Sequence, residues 1–420
     1  MKVLIIGLGY VGLPLAVRAA EVGHSVIGVD LDENKITTLR NGSSYIEDVT
    51  DERLASVRKN NRFIVCDTLL SSHGDFDICV VTVPTPLRDG VPDLSYVTAA
   101  GEGIGWILDP SLMSTVVLES TSYPGTTEGP FADAIASVHG YRPDEHYHLG
   151  FSPERIDPGA SDHTLENTPK LVSGTTTAAL ARITAFYDTI VDTTVPVSSP
   201  RIAEMAKVFE NLQAYANIAL VNEMAEVCTT LGINVHEVID AAMTKGHSMA
   251  RWTPGPGVGG HCLPVDSVYV AWQAREQLHR PFLMAEMAAR INENRPHYVV
   301  DRAAGLLLDR GVALHDAHVL IVGVAYKPGV GDLRESPAIP IVTDLTERGA
   351  KVTIVDPLVE TWTLTPRLTI EELTDTVQSF DLVVVVTNHD EFDYDKLAHE
   401  AQQVLDTRNA MRPSTTVVAL

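Results

Sequence analysis

KVLIIGLGYVGLPLAVRAAEVGHSVIGVD, residues 2–30, decides the fold. An apolar run, VLIIG (3–7), enters Gly7-Leu8-Gly9-Tyr10-Val11-Gly12; a helical pattern follows, and a second apolar run, SVIGVD (25–30), ends in Asp30. The order is strand, turn, helix, strand. In such a unit the first glycine makes the tight turn and the second lets backbone amides approach a pyrophosphate. The third lets the helix pack closely on the strand. The helix N-terminus adds partial positive charge toward phosphates. Asp30 can accept both hydroxyls of a ribose and would repel a 2′-phosphate, so the expected cofactor is NAD rather than NADP. The plainer reading of Asp30 is a cap on the next turn.

The same stretch imitates a secretory leader, with one basic residue, an apolar run and small residues near its end. The three glycines, Pro14 and Arg18 break that run, so no leader is expected. No clean apolar stretch of about 18 residues occurs elsewhere, and no membrane span is expected. The chain has 420 residues, which favours two or three domains. Lysine and arginine number 31 against 55 acidic residues, a formal net charge of −24. That balance argues against nucleic acid or an anionic membrane as partner, though not against an anionic small ligand. Cys66, Cys79, Cys228 and Cys262 lie far apart without CxxC spacing. Neither disulfides nor a metal site is expected, and a reducing cytoplasm fits.

Outward from the first unit, RFIVC (62–66), DICVVTV (77–83), STVVLES (114–120) and HYHLGF (146–151) continue as strands, with helical patterns between several of them. Such alternation implies a parallel sheet covered on both faces. From Ser198 the texture is helical. Ser199 suits a cap, Pro200 a first turn and Gly232 a stop, which predicts a rod of about 50 Å. More helix follows to about Gly311. Strand patterns then return in HVLIVGVAY (318–326), KVTIVDP (351–357) and DLVVVVT (381–387), with a helix over 337–349. The expected fold is α/β: two Rossmann-like parallel-sheet domains, at 1–197 and 313–420, joined by a long helix and a helical central domain at 198–312.

TPGPGVGGHCLPVD (253–266) is the chemical oddity. Six glycines and prolines fall within 254–261, and Cys262 follows at once. Buried cysteines commonly serve as small apolar residues, and that is the reading of Cys66, Cys79 and Cys228. Around Cys262 the glycines are expected to leave room for a ligand. A helix starting near Leu263 puts Cys262 and Asp266 one turn apart. A thiolate is a strong nucleophile toward an aldehyde, and a carboxylate nearby can orient water or take a proton. Metal binding by His261 and Cys262 lacks further ligands in the sequence. On the long helix, Lys207 and Asn211 share a face and can present an ammonium and an amide to an oxyanion. Spacing alone favours a solvated lysine and an interfacial asparagine. The turn GVAYKPGVGDLRES (323–336) lacks GxGxxG, so no second NAD is expected there. Lys327 and Arg334 suit a phosphate or carboxylate, or are surface charges. Together an NAD site, a thiol and a second nucleotide-like domain suggest one reaction. An alcohol becomes an aldehyde, then a thiohemiacetal, then a thioester, which is hydrolysed.

GLGYVGLPLA, ESTSYPGTT, FSPERIDPG, AEMAKVFEN, GPGVGGHCLPVD, YKPGVGDLRES and DTRNA occur in this order along nearly the whole chain. In them the chain resembles the UDP-glucose/UDP-N-acetylmannosamine dehydrogenase family. The resemblance implies NAD-dependent, four-electron oxidation of a UDP-sugar's C6 alcohol to a uronic acid; the long helix, with its apolar stripe, points to a homodimer. It implies Cys262 as nucleophile, Lys207 and Asn211 as oxyanion stabilisers, and Asp266 in proton transfer and water handling. Glu154 would assist thioester hydrolysis, and Thr121 would hold the catalytic water. The cofactor set it implies is Gly7, Gly9, Tyr10, Val11, Gly12, Asp30, Lys35, Thr85, Thr121 and Arg334. The substrate set is Glu154, Arg155, Lys207, Asn211, Arg251, Gly259, His261, Lys327 and Arg408. Three departures from the UDP-glucose branch stand out: Val265 in place of a lysine, SPERID in place of FPEFL, and His261 before the cysteine. They resemble the branch that acts on 2-acetamido sugars, and SPERIDPG with NTPKLVSG leans toward UDP-N-acetylglucosamine over its mannosamine epimer. The rival readings are a non-catalytic nucleotide-sugar binder and a two-electron hydroxyacid dehydrogenase; NADH counted per substrate separates them.

Overall fold

The structure is a computed structural model that describes every residue except 47, 73–74, 157–162, 248–249 and 261. The chain forms two compact units, Met1–Glu210 and Asn211–Leu420.

The first unit holds β1 (Lys2–Ile6), β2 (Ser25–Val29), β3 (Phe63–Cys66), β4 (Ile78–Val81), β5 (Leu87–Arg88), β6 (Val91–Pro92), β7 (Thr115–Leu118), β8 (His148–Phe151), β9 (Lys170–Gly174) and β10 (Thr194–Pro196). β5 and β6 make a small hairpin; the others form one sheet in the order β10-β9-β8-β7-β4-β1-β2-β3. β4 and β7, ICVV and TVVL, are buried along their whole length, as parallel strands covered on both faces must be. One face packs against Leu13, Val17, Leu39 and Val57, the other against Val97, Ile104, Phe131 and Ile135. The winding reverses between β1 and β4, and ligands bind outside the strand ends at such a point. The six expected strands are all present. β9 and β10 add to them, and β9 runs antiparallel to β8.

The helix Pro200–Leu231 begins and ends where Pro200 and Gly232 place it. Gly232 adopts φ +68°, and the amide of Ile233 reaches back to the Cys228 carbonyl, closing the last turn.

In the second unit, the helices Val235–Met243, Cys262–Leu278 and Leu283–Asp309 precede a second sheet. Its strands are β11 (His318–Val322), β12 (Lys351–Val355), β13 (Arg367–Leu368), β14 (Leu382–Val385), β15 (Val404–Asp406) and β16 (Val417–Ala419). They pair in the order β13-β12-β11-β14-β15-β16, all parallel. The switch lies between β11 and β14, so the winding repeats that of the first unit. Val299, Val300, Ala303 and Leu307 of Leu283–Asp309 join the core of this sheet, packing beside Ile341 and Leu345 of the helix Ala338–Glu347. Among the described residues, no helix is long and apolar enough to cross a membrane.

Candidate active site

In the first unit the three glycines of the opening turn have three separate causes. Gly7 adopts φ +94°, and a Cβ on it would stand 2.8 Å from the Thr82 carbonyl oxygen. A Cβ on Gly12 would lie 1.9 Å from the Gly7 oxygen, so the helix could not sit so close to the turn. A Cβ on Gly9 would meet nothing within 4 Å: its side faces open space. The helix Gly12–Glu21 starts at Val11 with no side-chain cap on its first amides. A pyrophosphate therefore finds unobstructed backbone and the positive end of a helix, and the site fits NAD. Asp30, at the end of β2, accepts from the Leu8 amide at 2.8 Å through Oδ2 and from the Asp32 amide at 2.9 Å through Oδ1. Lys35 Nζ stands 3.3 Å from Oδ2. Tyr45, which the sequence did not single out, donates its hydroxyl to the Leu8 carbonyl at 2.5 Å. Tyr10 and Val11 are half-buried at the turn, and Thr85 is buried just past β4.

Thr121 follows β7. It is half-buried, while the neighbouring Ser122 hydroxyl is buried without a hydrogen-bond partner. Glu204 of the long helix clamps the same loop. Its carboxylate accepts from the amides of Gly125 and Thr127, at 2.6 and 2.9 Å, and from the Thr127 hydroxyl at 2.6 Å. Glu154, beyond β8, accepts through Oε1 from the Arg155 and Ile156 amides and through Oε2 from Lys170. Burial alone would raise its pKa; the Lys170 ammonium and the two amides outweigh that and hold it below the ordinary range. Arg155 turns away. Its Nε and Nη2 grip Glu210 at 3.1 and 2.8 Å, and Nη1 donates to the Pro169 carbonyl at 2.6 Å. Lys207, buried, lies one helical turn before Asn211.

In the second unit Cys262 is exposed and is the first residue of the helix Cys262–Leu278. The positive end of the helix dipole favours negative charge there. Asp266, one turn on, is buried and receives the Asn211 side-chain amide. The structure thus joins Asp266 to Asn211 one helical turn from Cys262. Val265 is buried beside them.

The glycines before Cys262 have a cause different from the expected ligand space. A Cβ on Gly257 would stand 2.8 Å from Pro337 Cβ, one on Gly259 2.6 Å from Tyr326 Cβ, and one on Gly260 2.9 Å from the Tyr326 ring. The Gly260 amide donates to the Arg334 carbonyl at 2.9 Å. The loop is small because it lies flat against the turn after β11. Gly255 is pinned on both sides of its peptide. Its amide donates to Asn222 Oδ1 at 3.0 Å, and its carbonyl accepts from the buried Arg295 at 2.9 Å. Neither Asn222 nor Arg295 was legible as a loop anchor; each reads simply as a polar residue within a helix.

Arg334 turns its guanidinium back on Asp332, with Nη2 2.6 Å from the carboxylate. Lys327 Nζ lies 5.9 Å from the Tyr326 ring centre. Arg408 Nε donates to the Val386 carbonyl at 2.7 Å, its Nη1 stands beside Gly255, and burial lowers its pKa to about 10. Arg251 pairs with Asp240 and is exposed. His261 and the end of the SPERIDPG motif lie outside the described residues.

Family models match three successive parts of the chain: an NAD binding domain at residues 1–191, a central domain at 201–294 and a UDP binding domain at 320–413. The chain belongs to the UDP-glucose/GDP-mannose dehydrogenase family. As a member it is an NAD-dependent nucleotide-sugar dehydrogenase. It is 36% identical to a UDP-N-acetyl-D-glucosamine 6-dehydrogenase of Pseudomonas aeruginosa, over 86% of this chain and 83% of that protein. It is 33% identical to a UDP-N-acetyl-D-mannosamine dehydrogenase of Pyrococcus horikoshii, over 93% of this chain and 90% of that protein. The solved structure of a UDP-D-ManNAc dehydrogenase from Pyrococcus horikoshii superposes with a TM-score of 0.89 at 29% identity, covering 100% of this chain and 98% of that one. The family thus carries the cofactor that the glycine turn suggested, and these relatives are dehydrogenases of nucleotide sugars.

Proposed function

We propose that this dehydrogenase oxidises the C6 alcohol of a UDP-2-acetamido sugar, UDP-N-acetylglucosamine foremost, to the uronic acid through a thioester on Cys262. The observation that carries the chemistry is an exposed thiol at a helix N-terminus with the buried Asp266–Asn211 pair one turn behind it. Bound NAD supplies the oxidising power: two NAD and one water turn the alcohol into a carboxylate, with two NADH and three protons released. The Gly7–Gly12 turn and Asp30 would hold it, with Tyr10, Val11, Lys35, Thr85, Thr121 and Arg334 as further contacts.

In this reading the Cys262 sulfur adds to the aldehyde carbon and forms a thiohemiacetal. Loss of a hydride and a proton leaves the thioester, and water cleaves it to acid and free thiol. Lys207 and Asn211 stabilise oxygen as it becomes negative. Asp266 fixes the Asn211 amide, and Glu154 and Thr121 serve the hydrolytic step. Gly259, Lys327, Arg251 and Arg408 hold the nucleotide sugar. Residues 1–197, 198–312 and 313–420 then act as cofactor, catalytic-loop and UDP segments. The exposed stripe Leu220, Met224, Val227 and Leu231 suits a second copy of the chain, making a homodimer.

Arg155 and Val265 have structural roles of their own, which moves weight for the acetamido group to His261 and to the relatives. Relatives acting on the glucosamine and mannosamine epimers are of similar identity, and the NTPKLVSG stretch tips the reading to the former. The test is NADH released per sugar with UDP-N-acetylglucosamine, UDP-N-acetylmannosamine and UDP-glucose. Two NADH with the first and poor turnover of the last is the expected result; equal efficiency with UDP-glucose overturns the acetamido assignment. Cys262→Ala should abolish acid formation, and full conversion by that variant removes the thioester.

A further inference from the structure

The single antiparallel pairing of the first sheet has a chemical consequence. β8 and β9 set Gly150 opposite Gly174 and Phe151 opposite Ser173. The first residue of β9, Lys170, therefore returns to the edge where β7 and β8 run out. Glu119 follows β7 there, and Glu154 stands three residues beyond β8. Lys170 Nζ lies 2.7 Å from Glu119 Oε1 and 2.8 Å from Glu154 Oε2. From the helix Thr177–Tyr187, the Tyr187 hydroxyl donates to Glu119 Oε1 at 2.8 Å, and its ring centre is 5.5 Å from the ammonium. The side chains of Glu119 and Lys170 are 0% and 2% exposed, whereas that of Glu154, at 12%, reaches the surface.

Two carboxylates and one ammonium leave a net negative charge if all are ionised. A buried charge without compensation is costly, so the cluster favours one additional proton. The hydrogen bonds decide where it sits. Both oxygens of Glu154 are occupied, Oε1 by two amides and Oε2 by Lys170. Both donors to Glu119 converge on Oε1, and Glu119 Oε2 is buried with no hydrogen-bond partner. That bare oxygen is the place for a proton. The titratable group that touches the cluster is Tyr187; the Arg155 side chain, next to Glu154, is held by Glu210 of the long helix.

We propose that Glu119 and Lys170 are positioning residues for Glu154: Glu119 stays protonated at Oε2, and Lys170 gives its charge to Glu154 and holds it as an oriented anion. The inference rests on the reading of Glu154 as the carboxylate of the hydrolytic step. Burial pushes the Glu119 carboxyl up, against the pull of Lys170, while Glu154 is held down, in line with this division. A carboxylate held by three donors is a weak base. Glu154 then serves by fixing the direction of water rather than by taking its proton.

Infrared spectra of the full-length protein near neutral pH test the proton without substrate. The carbonyl stretch of a protonated carboxyl should disappear in Glu119→Gln and persist in Glu154→Gln; equal intensity in the unaltered protein and Glu119→Gln overturns the assignment. Kinetics test the positioning. In Lys170→Met the acid limb of the pH–rate profile for acid formation should move up by roughly one to three pH units, with KM for NAD unchanged. Activity lost evenly at every pH, with the limb in place, reduces Lys170 to scaffolding. If Lys170→Met does not fold, the infrared comparison still decides where the proton sits, and Lys170→Gln repeats the test of the acid limb. Full acid formation by Glu154→Gln removes the hydrolytic role of Glu154 while leaving the proton on Glu119.

Discussion

Two turns open the same winding in the two units, and they are built for different ends. Gly7 and Gly323 both take positive φ, +94° and +75°, and both press against the backbone of a threonine across the switch, Thr82 and Thr387. Each is followed by a second strand that ends in an aspartate, Asp30 or Asp356, which accepts amides from the turn. The difference is what each aspartate has left to offer. Asp356 is buried and accepts from the Val324, Ala325, Leu358 and Val359 amides and from His389. The Gly329 amide donates to His389 Nδ1, so Nε2 carries the proton that faces Asp356. Asp30 accepts two amides, has Lys35 beside it, and stands over a turn where Gly9 faces open space. An acid at the end of the second strand therefore marks a ribose site only if its lone pairs remain available.

The largest effect is expected where the second turn is most crowded. A Cβ at position 323 would lie 2.0 Å from the Thr387 oxygen. Gly323→Ala should cost about 2–5 kcal/mol in chemical denaturation, from strain and overpacking together. Unchanged stability would show that this turn is as loose as the position-9 side of the first.

Asp356 comes next. Burial would raise its pKa, but His389 and the amides bring it from 3.8 to about 2. A depressed folded pKa gives stability that is present above 3.8 and lost as pH falls toward about 2. The amount is about 2 kcal/mol. Asp356→Asn should lower stability at neutral pH and flatten acid unfolding between those values. A parallel acid profile for variant and parent would assign the acid lability elsewhere.

Asp30→Ala should barely move the unfolding curve. It should lower the preference for NAD over NADP by roughly 10- to 100-fold, the worth of a charged hydrogen bond to a ribose. A stability loss matching that of Asp356→Asn would erase the contrast between the turns. Smallest for the fold is Gly9→Ala, within about 0.5 kcal/mol of the parent, while KM for NAD rises. An unaltered KM would mean that the open side of Gly9 is not where the cofactor approaches.

Much of this was legible in the sequence because it depends on local pattern. The apolar runs of β1, β4 and β7, the Pro200 start and Gly232 stop, and the spacing of Cys262 and Asp266 each fix structure within a few residues. β9 was not legible. KLVSG is short, and its partner is chosen by a reversal of direction that no local signal announces. Lys170 was hidden for the same reason: a lysine opening a strand reads as solvated until the pairing sets it between two glutamates. Gly255, Gly257, Gly259 and Gly260 were recognised as significant, but the protein neighbours that crowd them, Arg408, Pro337 and Tyr326, were not legible. Glycine reports that space is scarce or φ unusual, and says nothing of whether protein or ligand fills it.

The loop before Cys262 bears on how the chain is made. Its shape depends on Tyr326, Arg334 and Pro337, more than 60 residues further along. A ribosome delivers residues in order. The thiol, the helix it begins and the Asn211–Asp266 pair all leave the ribosome before the surface that moulds the loop exists. Met1–Glu210 has every strand of its sheet by then. The Cys262 end of the helix Cys262–Leu278 therefore gains its final form late, and a nascent chain stopped short of residue 337 should present a glycine-rich loop that protease cuts more readily than in the finished fold.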